Sequence, residues 1–428
     1  MESDAIVSTA PTIVLEAPVQ TDMINVTLPA ILRSLRHHQR PLVVATSTAC
    51  AAALRAELVP PGTRVLAYDH FSVNPRVELD VIRMGSGVQG LQLVALREQD
   101  LMRAARIRRS LGLPGMSPER VALFRDKLLM KRCASEHGID VPRFVGVDTG
   151  ADLAQAMQTF RYPWIVKPRR KAAGMGFRVL RADRDVELLL DELAPQLDWD
   201  EPLDLIAEEF VGTQMFHVDG VWSRGRFERL LAAEYIGLKP HHQIDPGQIA
   251  DVLSGSLEVP PDDPGHAPLR AFVERLLQVL GGDASFAFHA EVWQRDGRLL
   301  LNEVACRTGG GQVYFLQQEV FGANPDEIHL CALQGTLAPA EPGRARRVHM
   351  VARVAPRRGH WGGRTAPLPP GTRLEMFRSG AARLEPARHW HDAIGFVYAE
   401  GGSRNEVLRK TQQVMGAFAE AVAPAAPH

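Results

Sequence analysis

The chain has 428 residues, of which 45% are hydrophobic and 23% charged, with a formal net charge of −1. That length implies several structural units with ample apolar core. The near-neutral balance excludes a global field recruiting nucleic acid or anionic membrane. The 4 cysteines form no CxxC pair, which excludes a disulfide framework or zinc knuckle and fits a reducing compartment. The opening MESDAIVSTAP carries no basic leader before a long apolar run, and no spanning helix is visible further on. The expectation is a cytoplasmic protein with no nucleic-acid or membrane partner.

Between Thr12 and about Val121 the apolar runs TIVLEA, PLVVATS, RVLAYD and LQLVAL alternate with helical stretches LPAILRSLRHH and ACAAALRAEL. Such alternation predicts a parallel α/β layer. No GxGxxG opens a helix after the first strand, which argues against a dinucleotide site. Arg103, Arg106, Arg108 and Arg109 read as a solvated helix face. Ser117-Pro118 reads as an N-cap followed by Pro at the first helical position, and RDKLLMKRCASEHG as a helix stopping at Gly138. Then come the strand VPRFVGV, a helix near 151–160, the strand YPWIVKP, the loop RRKAAGMG, the returning strand GFRVL and a helix near 184–193. LIAEEFV, FHVDGVW and FERLLAAEYIG read as strands. Residues 241–268 are rich in Pro, Gly and Asp and read as a long loop excursion. An amphipathic helix over 269–280 follows. After Ala345 short strands and a helix over 405–422 suggest a small α+β closing unit.

Residues 286–311, FAFHAEVWQRDGRLLLNEVACRTGGG, carry the densest signal. They read as two alternating strands joined by a three-residue turn at Arg295-Asp296-Gly297. That register sets His289 opposite Glu303, with Glu291 one diagonal step away. Period-2 alternation puts His289, Glu291, Trp293, Glu303, Ala305 and Arg307 on one face. Phe286, Phe288, Ala290, Val292, Leu300 and Val304 fall on the core face. Taken alone, the charges also suit a surface ion pair on a half-exposed hairpin.

Of the six lysines, Lys127, Lys131, Lys167 and Lys171 cluster within 127–171. The loop after Lys167 joins two strands, so it is not a P-loop, which would open a helix. Its backbone can still fold over phosphates at Gly174 and Gly176, with Lys167 emerging beneath. A flexible surface hairpin is the competing reading. Lys127 is a second candidate phosphate ligand. Glu208-Glu209-Phe210-Val211 could offer backbone hydrogen bonds to a purine edge while Phe210 covers its face, or be only a strand end.

The order of these features resembles the ATP-grasp superfamily over roughly residues 115–315. Within it FHAEVW, NEVACRTGGG and FHVDGVW look most like bacterial L-amino acid (dipeptide-forming) ligases. The resemblance implies an ATP-grasp fold with an N-terminal parallel α/β pre-domain (1–120), a small lobe with the glycine-rich loop (121–206), a large lobe with the metal hairpin (207–335) and a C-terminal α+β unit (336–428). It implies ATP and Mg2+, with Mn2+ able to substitute. Lys127, Lys167, Gly174 and Gly176 would hold phosphates. Glu208 and the backbone at Phe210 and Val211 would hold adenine, and Glu291 and Glu303 the metal. Arg307 with the N–H groups of Thr308, Gly309, Gly310 and Gly311 would neutralise an acyl phosphate, and His289 and Trp293 would face substrate. The implied activity is carboxylate–amine ligation through an acyl phosphate, with small-molecule carboxylate and amine substrates, natural-product biosynthesis as setting and a homodimer through the first unit. The 241–268 excursion and the glycine loop would act as lids.

The chain departs from the superfamily pattern twice. Ala305 stands where an Asn metal ligand is common. Met215 and Phe216 stand where an acidic ribose ligand is common, with His217 or Asp219 as substitutes. Competing readings are a biotin-carboxylase-like enzyme and a non-catalytic nucleotide-binding module. His389-Trp390-His391 invites a metal reading but lacks further ligands at suitable spacing. His37-His38 and His241-His242 read as surface pairs, and Cys306 as a packing residue.

Overall fold

Four short apolar runs build the first sheet: β1 (Thr12–Glu16), β2 (Leu42–Ser47), β3 (Arg64–Tyr68) and β4 (Gln92–Ala95). Their order is β3-β2-β1-β4 and every pairing is parallel, as the alternating pattern predicted. The computed structural model describes residues 10–16, 35, 40–54, 59–172, 174–212, 214–237, 253–339, 347–377, 380–387 and 392–423. The expected helix over 28–38 with His37-His38, the pair His241-His242 and the group at 389–391 lie outside these, Leu35 apart.

Helix Leu101–Leu111 packs Ala104 and Ile107 into the core beneath this sheet. The arginine run on that helix is not the solvated face expected. Arg103 is buried, 2.9 Å from Asp100 and donating to the Phe71 carbonyl, and Arg108 is half-buried, donating to the Leu93 carbonyl. Only Arg106 and Arg109 point outward, to Glu78 and Glu119. Packed between the sheet and the next unit, the helix keeps only a narrow solvated strip at Arg106 and Arg109.

Ser117 accepts the Arg120 N–H with Pro118 in the first turn, so helix Pro118–Arg125 starts where the motif placed it. Asp126 then caps helix Lys127–Glu136 by accepting the N–H groups of Leu128 and Leu129. That cap fixes Lys127 as the first helical residue. The small antiparallel sheet follows, with β5 (Phe144–Val147), β6 (Trp164–Pro168), β7 (Arg178–Leu180) and β8 (Leu205–Glu209) in the order β5-β8-β6-β7. Helices Gly150–Thr159 and Asp183–Leu193 bury Leu153, Ala156, Val186 and Leu189 against Trp164, Val166 and Ala207.

The remaining strands are β9 (Met215–Ser223), β10 (Arg226–Gly237), β11 (Ser254–Glu258), β12 (Phe286–Arg295), β13 (Arg298–Ala305), β14 (Val348–Val354), β15 (Gly359–Trp361), β16 (Thr372–Met376), β17 (Ala382–Leu384), β18 (Gly395–Gly401) and β19 (Val422–Ala423). An eight-stranded sheet runs β13-β12-β9-β10-β11-β14-β18-β16, and β17-β15-β19 form a small one. The closing region thus continues the central sheet through β14, β18 and β16. Residues 254–258, expected within a loop, form the fully buried strand β11 between β10 and β14. Short runs of Ser and Gly give no apolar alternation, and the strand is recruited by its two neighbours. Helix His266–Gly281 covers one face of the sheet, where Phe286, Phe288, Val292, Leu301 and Val304 meet Val273 and Leu277. Helix Gln312–Phe321 covers the other, with Leu316 against Leu231, Ala233 and Val351.

The hairpin β12–β13 exists, but its register differs from expectation. Arg295 pairs with Arg298 and both Asp296 and Gly297 have positive φ (52° and 75°), so the turn holds two residues, not three. Asp-Gly with two left-handed residues is the turn whose twist matches the strands. A bulge follows, since Val292 pairs with Leu301 but Glu291 with Glu303, leaving Asn302 extra. Glu291 therefore lies directly opposite Glu303, and His289 opposite Ala305. The shorter turn and the bulge shift the register in the same sense and preserve facing, so these four residues still share one face. Beyond the bulge Leu300 joins Trp293, and Leu301 takes the core position expected of Leu300.

Candidate active site

Lys127 is buried at its helix start; its Nζ donates to the Lys171 carbonyl at 2.6 Å and lies 3.3 Å from Glu303. Lys167 emerges from β6, its Nζ 3.0 Å from Asn302 Oδ1 and 3.2 Å from Glu208. Glu208 is fully buried and 3.4 Å from Lys131, itself fully buried and donating to the Leu301 carbonyl. Burial pushes the Lys131 ammonium down to about 8, against the upward pull of Glu208. The carboxylate of Glu208 is thus turned onto two lysines. Lys131 stood out in the sequence only as a member of the lysine cluster, with no role of its own; the Glu208 carboxylate is what makes its burial possible.

Gly174 and Gly176 lie in the exposed loop between antiparallel β6 and β7, with φ of 69° and 72°. A Cβ on Gly176 would come within 2.7 Å of Pro168, so glycine is required there sterically as well. Phe210 follows β8. Val211 packs with Met215, Tyr235, Trp293, Leu300 and Val313. Trp293 therefore sits beside the 208–211 segment, not beside Arg307.

Glu291 is buried and accepts the Tyr235 hydroxyl at 3.0 Å and the Asn302 amide at 2.7 Å. Glu303 is half-buried; burial alone would raise its pKa, but Lys127 and Lys167 hold it below the usual carboxylate range. Asn302, the bulge residue, bridges Lys167 and Glu291. Nothing in its sequence neighbourhood marks it, because only the bulge turns it toward this face. Two facing carboxylates and an amide are hard oxygen donors, which suit Mg2+ better than softer metals.

Arg307 follows β13. Its Nε donates to Glu98 at 2.6 Å and its Nη1 to the Thr308 carbonyl at 3.0 Å. Glu98, in the loop after β4, also pairs with Arg125. Burial works to raise its pKa, yet the two arginines bring it down. This anchor crosses from the first unit to the hairpin, a contact 209 positions apart in sequence that no local pattern shows. Thr308 is buried, and Gly311 leads into helix Gln312–Phe321. A Cβ on Gly309 would meet Asp219 Oδ1 at 2.8 Å and His289 Nδ1 at 3.1 Å, so this backbone rests on those side chains.

His289 Nδ1 lies 2.7 Å from Asp219, and its Nε2 3.5 Å from Glu291. Burial disfavours the imidazolium, but Asp219 outweighs it and raises the pKa to about 9. Asp219 also holds His217 Nδ1 at 2.5 Å. Burial opposes the Asp219 charge; His289 and His217 more than restore it. Both His217 and Asp219, named as substitutes for a ribose ligand, are fully buried, with Asp219 held between His217 and His289. Asp219 with His217 and His289 places three ligand atoms within 4.8 Å, but both carboxylate oxygens already serve the imidazoles.

A narrow cleft gathers Glu98, Arg125, Lys127, Lys171, His289, Glu303, Ala305 and Arg307. Residues from the first unit, the small lobe and the hairpin meet there. Cys306, next to Arg307, points instead into the core, where burial pushes its thiol up to about 12.

Residues 132–317 match the model of the ATP-grasp domain. This chain carries an ATP-grasp domain. An L-arginine-specific L-amino acid ligase of Bacillus subtilis is 24% identical over 237 residues, 54% of this chain and 54% of that protein. A D-alanine--D-alanine ligase of Marinomonas sp. (strain MWYL1) is 27% identical over 217 residues, 49% of this chain and 62% of that one. The matches thus span between half and two thirds of these relatives. The fold is shared along the whole chain with the L-amino acid ligase from Bacillus licheniformis, at TM-score 0.66 and 16% identity, covering 98% of this chain and 99% of that one. Carboxyaminoimidazole ribonucleotide synthase from Aspergillus clavatus complexed with ATP also aligns at TM-score 0.66, 14% identical over 96% of this chain and 99% of that one. The multidomain ATP-grasp architecture expected from the sequence is therefore the one observed. Among the described residues no helix is long and apolar enough to cross a membrane.

Proposed function

We propose that the protein is an ATP-dependent carboxylate–amine ligase, joining an amino acid or small carboxylic acid to an amino acid through an acyl phosphate. The observation that carries this reading is the convergence of Lys127, Glu303, His289 and Arg307 on one cleft, with Lys167, Asn302 and Glu291 linked behind it. In this reading Lys127 and Lys167 hold the ATP phosphates under the loop of Gly174 and Gly176. The backbone at Phe210 and Val211 faces adenine. Glu291 and Glu303 hold Mg2+, which supplies charge neutralisation on the phosphates when bound.

A substrate carboxylate oxygen attacks the terminal phosphorus and the bond to ADP breaks. The amine nitrogen then attacks the acyl carbon, loses a proton, and phosphate departs. Positioning and charge do most of this work. Arg307, fixed by Glu98, and the N–H groups at Thr308–Gly311 face the developing negative charge. Asp219 and Glu291 favour the imidazolium form of His289, which would place positive charge beside the cleft. The matched ligases support the reading by their names alone.

The test is ADP and phosphate release from purified protein, ATP and Mg2+ against a matrix of amino acids, with hydroxylamine trapping. Amino-acid-dependent ADP and an acyl hydroxamate are expected. Bicarbonate-dependent ADP formation without amino acids would favour the carboxylase reading, and ATP binding without turnover the binding-module reading.

A further inference from the structure

A second cavity, of about 190 Å3, lies where β4, helix Leu101–Leu111 and the turn after it, the hairpin ends at Phe286 and Cys306, and helix Pro325–Gln334 meet. None of Lys127, Lys167, Glu291, Glu303 or Arg307 lines it. Its walls are largely apolar: Leu91, Leu93, Leu101, Val121, Phe286 and Leu330. Cavities of roughly 150 Å3 admit a benzene-sized molecule.

Five polar side chains interrupt these walls, Gln92, Arg108, Ser285, His329 and Gln334, and three of them bear on a ligand. Arg108 donates to the Leu93 carbonyl at 3.0 Å, and among the described residues no carboxylate pairs with it. Burial pulls its pKa down. His329 is 2% exposed and its Nδ1 has no hydrogen-bond partner. Burial, with Arg108 nearby, lowers its pKa to about 3, so the ring is neutral. The Gln334 Oε1 is likewise buried without a partner. A half-buried cation without a counter-ion and two buried polar atoms without hydrogen-bond partners are each costly to leave unsatisfied.

Together these deficits are complementary to one ligand chemistry. We propose that this cavity binds a small apolar α-amino acid. Its carboxylate pairs with Arg108, its ammonium donates to His329 Nδ1 and Gln334 Oε1, and its side chain fills the apolar wall. Helix Pro325–Gln334 supplies the ammonium contacts and helix Leu101–Leu111 the carboxylate contact, so the ligand bridges the first unit to the large lobe. The site does not depend on the ligase reading. Its Cys306 wall adjoins Arg307 in sequence, which places occupancy one residue from the cleft.

The experiment is calorimetric titration of the full chain, without ATP, with L-leucine and L-phenylalanine, and with 4-methylpentanoate and isopentylamine as analogues lacking one charged group. Saturable binding of an amino acid is expected, with both analogues weaker. Binding should persist in Arg307→Gln, which separates this cavity from the cleft, and weaken about tenfold or more in Arg108→Gln. Leu333 lines the cavity yet is 37% exposed, so Leu333→Trp should fold normally and block entry even where Arg108→Gln does not fold. No binding at millimolar amino acid would overturn the proposal, as would binding that Leu333→Trp leaves intact.

Discussion

Replacing Glu208 by Gln removes the negative charge held between two buried ammonium groups, Lys131 at 3.4 Å and Lys167 at 3.2 Å. Lys131 is fully buried, and its pKa already stands at about 8. Against an unfolded value of about 10.4, keeping it folded at pH ~7 costs on the order of 3 kcal/mol. Without Glu208 burial lowers the ammonium's pKa further, toward a ceiling cost of about 5 kcal/mol at that pH. The Lys131 share of the destabilisation is therefore on the order of 1 kcal/mol at pH ~7 and close to nothing at pH ~9, where the parent lysine is mostly neutral too. The sign follows because the unfolded chain binds more protons, so stability rises with pH, and in the variant this slope extends to lower pH. Urea unfolding of both chains across this range measures the difference. A penalty that is constant or grows with pH would refute the reasoning.

Asn302→Ala removes the amide joining Lys167 to Glu291, and should weaken MgATP binding by roughly 10–100-fold, read as KM or by nucleotide titration, with little change in melting temperature. Asp219→Asn leaves the buried His289 imidazolium without its counter-ion and should cost about 3–5 kcal/mol near neutral pH. The His289 part of that stability is fully present below its unfolded pKa of about 6.5 and is lost as pH rises through the folded value of about 9. The variant's deficit, followed by denaturant melts, should therefore shrink over that window. Gly309→Ala places a methyl within 2.5 Å of Val313 and 2.8 Å of Asp219, and should cost about 1–3 kcal/mol in the same assay.

The hairpin, the helix cap at Ser117 and the parallel first sheet were legible because each rests on local chemistry: strand alternation, a side-chain oxygen at N-cap, short β-branched runs. The site residues Lys127, Glu303 and Arg307 were legible as types in order, and the fold brings them into one cleft. Register was not legible. Asp296 adopting positive φ shortened the turn, and the bulge at Asn302 is set by partners across the sheet. Glu98 was missed, and the partners of Asp219 and Lys131 were not foreseen, for a related reason. Each is explained only by a charge distant in sequence, as Glu98 is by Arg307 and Lys131 by Glu208. The strand at 254–258 lacks apolar alternation and exists because β10 and β14 flank it.

The most direct test of carboxylate–amine ligation is an acyl-hydroxamate assay with ATP, Mg2+ and paired amino acids, run beside Glu303→Ala. Hydroxamate and ADP formed in equal amounts, dependent on an amino acid and abolished in Glu303→Ala while the circular dichroism spectrum is unchanged, is the expected result. ATP turnover that needs no carboxylate substrate, or that survives in Glu303→Ala, would contradict it.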